Sequence, residues 1–313
     1  MIMVQQSEEY SDFLQSYYNK DKFIRMNGLP IFIRKTKYGN VANCQPGYSS
    51  YAPTLPDEIM KIFNMLRGFD VDIFTYVTAP LFLKNMKSKL FNLFDTTIVN
   101  PIQYVNLRSV GNVMDNYRSD VKFKIRKINK KKVLSVKTGN EYLSEWYKIH
   151  VKRSLEQKSQ VIEYDYFRKL LELDNSYLSC VFYKNMMIGG AIFLKNEYHV
   201  DYYRSAFDSK YFYLDGNTFL LNEELNIAKM QDISVFNMHS SAKINDGTWN
   251  FKKGFGCYET EHYYLIKQLG NVHGFLHSPV KEIKRMFKGY YVLPYNKISK
   301  YKKGGMKLEE KYS

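Results

Sequence analysis

Apolar and polar positions along the chain switch between a helical and a strand period, and each switch marks an element. Ile59, Ile62, Phe63 and Leu66 fall three and four residues apart, behind Pro56, Asp57 and Glu58 and ahead of Gly68. That stripe predicts a helix whose acidic first turn complements its amino end. A first helix is expected around Asp12 to Tyr18, then an apolar strand from Pro30 to Arg34. A loop rich in turn formers follows, holding Asn43, Pro46, Gly47 and Pro53. Asp70 to Val77 reads as a strand.

Further on, Tyr117, Val121, Ile125 and Ile128 keep helical spacing, Val133 to Val136 is a short strand, and Leu143, Trp146, Tyr147 and Val151 predict another helix. A helix through Phe167, Leu170 and Leu171 precedes three strands, Leu178 to Tyr183, Met186 to Leu194 and Tyr198 to Ala206. Lys184-Asn185 and Lys195-Asn196 supply tight turns between them, so an antiparallel meander is expected. Asn217 to Met230 carries Leu221, Leu225 and Ala228 at helical spacing, and Asp232 to His239 follows as a strand. From Lys281 the pattern predicts a helix through Ile283 and Phe287 and a mobile, lysine-rich tail with Gly304-Gly305.

The order of helix then strand occurs twice, at Pro56 to Thr78 and at Asn217 to His239, where DVDIFTYVT is comparable with DISVFNMH. Two similar halves are expected, of the α/β (α+β) class, each a mixed, mainly antiparallel sheet flanked by helices. Their expected bounds are residues 1–115 and 116–280, with a basic helix and tail at 281–313.

Composition narrows the class. No apolar run approaches the roughly 20 residues of a spanning helix, and Glu8 and Glu9 interrupt the start, so a cytoplasmic protein with no transmembrane segment is expected. Cys44, Cys180 and Cys257 are odd in number and lie far apart, which suggests neither a disulfide framework nor a zinc site, and no metal is expected. The formal net charge of +15 favours anionic partners without identifying them. Much of it is concentrated between Lys122 and Lys132 and in the tail.

The order of helices, meander, helix and strand, closed by Phe251-Lys252-Lys253-Gly254-Phe255-Gly256, resembles the acetyltransferase-like (GNAT-like) carboxy-terminal half of the Fem nonribosomal peptidyltransferases. His239-Ser240-Ser241 is similar to that family's small-residue turn, and Arg118 to Lys132 to its basic helix. The resemblance covers about Asn116 to Glu259 and implies two tandem acetyltransferase-like domains. No sustained heptad run marks the helical arm that cross-bridge-building members carry for transfer RNA. The resemblance is therefore to the arm-less subgroup, and it implies transfer of an acyl group from acyl-CoA to the amine of a nucleotide-linked amino sugar. Acyl-CoA would serve as a co-substrate, with no permanently bound cofactor and no DNA partner.

Amide formation from a thioester requires orientation, donors for the oxyanion and removal of a proton, but no covalent nucleophile. In the acetyltransferase plan the donor's pyrophosphate meets the amino end of a helix, here Gly216-Asn217-Thr218, with Asn217 or Thr218 as a cap. Strand alternation puts His199, Asp201, Tyr203 and Ser205 on one face, opposite Val200, Tyr202 and Arg204, with His239 within reach from the neighbouring strand. Asp201 is the first candidate for the base and His239 the second. Lys252 and Lys253 are candidate diphosphate contacts. Two other readings share the observations: aminoacyl-tRNA-dependent peptidyl transfer to a cell-wall precursor, and RNA binding through the Lys122 to Lys132 helix and the tail. Oligomeric state is not legible in the sequence.

Overall fold

The computed structural model describes residues 4–18, 22–26, 29–36, 39–44, 56–78, 87–159, 161–239 and 247–271. The turn Ser240-Ser241 and the helix and tail expected from Lys281 lie outside them. The chain forms two compact units, residues 2–100 with 261–313, and residues 101–260.

In the first unit α1 (Glu8–Tyr17) starts at Ser7, whose hydroxyl accepts the Tyr10 N–H at 3.1 Å. Then β1 (Lys22–Met26), β2 (Leu29–Thr36) and β3 (Gly39–Asn43) form an antiparallel meander. The helix α2 (Pro56–Arg67) leads into β4 (Ile73–Thr78), which lies parallel to β3. Ile59, Ile62, Phe63 and Leu66 of α2 pack on Ile31, Ile33, Phe74 and Tyr76, each burial contributing on the order of 1.5–3 kcal/mol before entropy is counted. A short α3 (Lys87–Phe91) precedes β5 (Thr96–Asn106).

The second unit continues with α4 (Ser119–Lys131), β6 (Leu134–Thr138), α5 (Leu143–Glu156) and α6 (Tyr164–Leu170). The meander β7 (Ser176–Tyr183), β8 (Met186–Lys195) and β9 (His199–Phe207) comes next, then α7 (Gly216–Met230), β10 (Val235–His239) and α8 (Gly247–Lys253). Its strands run in the order β5-β10-β9-β8-β7-β6, and β9 with β10 is the parallel pair. On one face α4 and α7 bury Val121, Ile125, Leu221 and Leu225 against Val200, Phe236 and Met238. On the other, the Trp146 indole of α5 donates to the Gly190 carbonyl at 3.0 Å. A Cβ at Gly190 would stand 2.6 Å from the Ser179 carbonyl oxygen, so only glycine lets β7 and β8 close at that rung.

Both units therefore follow one plan: an antiparallel meander, a helix, and a strand parallel to the meander's last member. The closing strand comes from elsewhere in the chain. Gln103 to Asn106 of β5 pair with β10, and residues 263–268 of the final strand, β11 (Tyr258–Gln268), pair with β4. Hence the compact units part near residues 100 and 260, whereas the sequence pattern suggested 115 and 280, because inter-strand hydrogen bonds decide which unit a strand joins. Residues 39–43, expected as loop, form β3, since pairing on both sides makes a strand of a segment with only two apolar residues. The pattern also gave no sign of β1, β5, α8 or β11.

One buried group makes the fold sensitive to pH. Glu224 of α7 accepts the Tyr177 hydroxyl at 2.9 Å, and burial raises its pKa above the ordinary carboxylate value. A folded-state pKa above the unfolded one contributes stability that is complete in acid and is lost as pH rises through the raised value. Glu224→Gln is expected to flatten the fall in unfolding free energy between acidic and neutral pH, followed by urea titration. A wild-type slope retained by the variant would assign that dependence to another group.

Candidate active site

The β9–β10 ladder is short. Its partners are Val235 with His199, Phe236 with Val200, and Asn237 with Asp201, and there the pairing stops. Both strands carry an irregularity just beyond that rung. On β9, Ile192 faces Arg204 and Phe193 faces Tyr202, which leaves Tyr203 as an extra residue. On β10, Asn237 faces Tyr104 and His239 faces Gln103, which leaves Met238 extra. A bulge increases local twist and turns its strand away from its neighbour. Two of them side by side open the parallel ladder, and Tyr203 and His239 stand across the opening, edge to face at 6.4 Å between ring centroids.

Behind the opening lies a buried polar cluster. The Asp201 carboxylate accepts from the Asn237 amide at 2.6 Å, with the Nε2 atoms of His239 and His199 at 3.3 and 3.5 Å from the same oxygen. Asn237 works at both ends, since its Oδ1 accepts the His239 backbone N–H at 2.8 Å. That bond secures His239 at φ 58°, a left-handed conformation costly for a non-glycine residue. Burial lowers the His199 pKa, partly opposed by Asp201, so His199 is a neutral imidazole. Asp201 is fully enclosed, while the His239 side chain is 12% exposed, so His239 is the member that meets incoming groups. The Tyr166 hydroxyl of α6 hydrogen-bonds to the Tyr203 hydroxyl and holds that ring over the cluster.

The bulge also corrects the expected faces of β9. His199, Asp201 and Tyr203 do share a face, but beyond Tyr203 the alternation inverts. Ser205 lies on the α7 side, near the Tyr202 hydroxyl, and the Arg204 charge acts on His150 of α5.

At the far end of β9 the chain turns through Ser209–Leu214 to Asp215, at φ 55°, and enters α7. Asp215 does not cap the helix, because its carboxylate pairs with Lys124 at 2.7 Å. The N–H groups of Gly216, Asn217 and Thr218 thus begin a helix whose first turn has no intrahelical acceptors and carries the positive end of the dipole. They line a cleft of about 220 Å³ together with Lys124, Phe207, Tyr211, Phe212 and Phe251. A Cβ on Gly216 would come within 2.9 Å of the end of Ile188, so glycine brings the helix start close to β8. Asn217 accepts the Tyr202 hydroxyl at 2.8 Å, and Thr218 is buried.

The two lysines of the FKKGFG segment part company. Lys253 is exposed and pairs with Glu259 at 3.2 Å. Lys252, expected as a diphosphate contact, is buried in α8, and its Nζ donates to the His239 carbonyl at 3.4 Å. Gly256, at φ 73° and with Asn116 where a Cβ would be, makes the turn that follows. Burial pushes all three thiols up, Cys257 to about 12, so none is a ready thiolate. No cluster of candidate metal ligands occurs among the described residues. Two members of the cluster, Asn237 and Tyr166, are not among the candidates that the sequence offers; side-chain polarity on the strand of His239 points to the first, and nothing local to the second.

No family model matches the sequence, and no curated protein matches it either. Solved structures do resemble the fold. FemX superposes with a TM-score of 0.66 at 9% identity, over 90% of this chain and 94% of that one. The C-terminal domain of an inferred lysylphosphatidylglycerol synthetase from Agrobacterium fabrum gives 0.60 at 9% identity, over 84% and 92% of the two chains. L-PGS from Bacillus licheniformis gives 0.58 at 11% identity, over 97% and 100%. The chain thus has the mixed α/β architecture expected from the sequence, and it shares that fold with FemX and with these two other structures.

Asn237→Ala would leave the His239 N–H and one side of the Asp201 carboxylate without their partner, a loss of about 1–3 kcal/mol. Chemical denaturation is expected to show a lower midpoint with an unchanged slope. An unaltered midpoint would mean that water replaces the amide at no cost.

Proposed function

We propose that the protein is an N-acyltransferase that moves an acyl group from acyl-CoA to the amine of a nucleotide-linked amino sugar. The observation that supports this best is the pairing of two features on one strand: an opened β9–β10 ladder backed by Asp201 and His239, and at the end of β9 a helix start suited to a pyrophosphate. In this reading the amine attacks the thioester carbonyl, its proton passes to Nδ1 of His239, and the thiol leaves with a proton as the amide forms. Asp201, 3.3 Å from Nε2, stabilises the positive charge that the ring then acquires, and Tyr203 closes one side. The buried Lys252 ammonium beside His239 offsets charge on the developing oxyanion. This moves the base from Asp201, the first choice from sequence, to His239, because the carboxylate is enclosed. The positive net charge suits two diphosphate-bearing substrates, and the same reading places the protein in the cytoplasm, where both are made.

A second reading is supported by the fold shared with FemX and L-PGS: the donor is an aminoacyl-tRNA and the acceptor a cell-wall or lipid precursor. The same opening would serve, with a different carrier at the α7 end.

Incubation with a panel of acyl-CoAs and nucleotide-linked amino sugars is expected to release free thiol and give an amide product detectable by mass. Product formation only with charged transfer RNA would establish the second reading instead. His239→Gln is expected to lower kcat roughly 10²-fold or more with the donor KM little changed. Near-normal turnover in that variant would remove His239 from the chemistry.

A further inference from the structure

A group of exposed apolar side chains lies around the mouth of the α7 cleft, on three elements that hydrogen bonds and ion pairs tie together. Leu155 near the end of α5, Phe212 and Tyr213 in the 209–214 turn, and Met186 at the β7–β8 turn are 65%, 48%, 70% and 42% exposed. Lys152 bonds Asp208 at 2.7 Å and Ser209 bonds Glu156 at 3.0 Å, fixing the 209–214 turn to α5. The Tyr211 hydroxyl donates to the Met186 sulfur at 3.5 Å, fixing the same turn to the β-hairpin. None of these large side chains is needed by the core, and such a cluster held in fixed positions marks a surface that something covers.

The charge around the cluster identifies the kind of partner. The acidic groups Asp208 and Glu156 are paired, with Lys152 and Arg153. Lys148, Lys158 and Lys184 are exposed and have no ion pair among the described residues, and exposed Lys210 lies near the already paired Asp208. Cations also sit against the aromatic rings: Arg153 is 4.9 Å from the Phe212 centroid, Lys210 is 5.5 Å from Tyr211, and Lys184 is 5.3 Å from Tyr183. Apolar tips flanked by aromatic rings and long cationic stems match the boundary between acyl chains and an anionic headgroup layer. A protein partner would more often meet a dry apolar centre depleted of lysine.

We infer that the surface formed by the end of α5, the 209–214 turn and the β7–β8 turn docks on an anionic lipid bilayer. The interaction brings the mouth of the α7 cleft to the membrane, because Tyr211 and Phe212 belong to both. It requires no spanning segment, in keeping with the absence of any membrane-crossing helix among the described residues. It is independent of the proposed chemistry, and its test uses no substrate.

The full chain is mixed with vesicles of phosphatidylcholine alone or of phosphatidylcholine with phosphatidylglycerol, and the bound fraction is read by flotation at low and at raised salt. Wild type is expected to float with the anionic vesicles and to remain partly bound at raised salt, where screening removes most of the Coulomb attraction. The triple substitution Leu155→Ser, Phe212→Ser and Tyr213→Ser is expected to weaken binding roughly tenfold and to abolish what survives at raised salt, with an unchanged circular dichroism spectrum. Lys148→Glu with Lys210→Glu is expected to weaken binding at low salt only. Wild type that stays off the anionic vesicles would overturn the inference, as would a triple variant that floats like wild type, which would locate binding at another basic surface. Self-association in solution that the triple variant abolishes, without vesicle binding, would overturn it too and assign the patch to a second copy of the chain.

Discussion

A single enclosed carboxylate organises the centre of the second unit. Asp201 sits at the last rung of the parallel ladder, where a charge without partners would be prohibitively costly, and Asn237 opposite it supplies the nearest donor. The same amide must also accept the N–H of His239, which holds β10 in a left-handed kink just where β9 bulges. Satisfying one buried charge thereby ends the pairing of two strands and leaves Tyr203 and His239 across a gap. The opening follows from that constraint on hydrogen bonding, with no need for strain elsewhere.

The two faces of the sheet divide the work. Toward α4 and α7 the side chains are almost wholly apolar and lock the α7 start against β8. Toward α5 and α6 lie the histidines, Asp201, Tyr203 and Arg204, covered by Trp146, Phe167 and Tyr166. Because β9 belongs to both layers, the helix end that can meet an anion and the polar cluster that can move a proton are fixed by one strand. The acidic residues around the cleft, Asp208 and Asp215, are each matched by a lysine, so they do not oppose an incoming phosphate as bare charges.

Much of the candidate site's placement was legible because its parts are local. His199, Asp201 and Tyr203 are spaced two apart, and a strand has no choice but to put them on one face. Gly216 follows an irregular segment and precedes a helical period, which marks a helix start. Side-chain placement stopped being legible where the period itself broke. An extra residue at Tyr203 sends Ser205 to one layer and Arg204 to the other, and no side chain in that stretch announces a bulge. Lys252 read as a diphosphate contact within a basic segment; α8 instead carries it inward beside the His239 carbonyl.

The sequence by itself determined the order of the longer helices, the meander of β7 to β9, the repeated helix–strand plan and the face that bears the titratable groups. All of these rest on periods of two or 3.6 residues and on turn chemistry, which act over a few neighbours. Only the tertiary structure decided that β5 closes the unit of β10 and β11 that of β4, that residues 39–43 are a strand, and that His239 rather than Asp201 faces the opening. Those outcomes depend on which distant backbone offers its hydrogen bonds and on which side chain reaches the last free donor, and a chain read from one residue to the next carries neither.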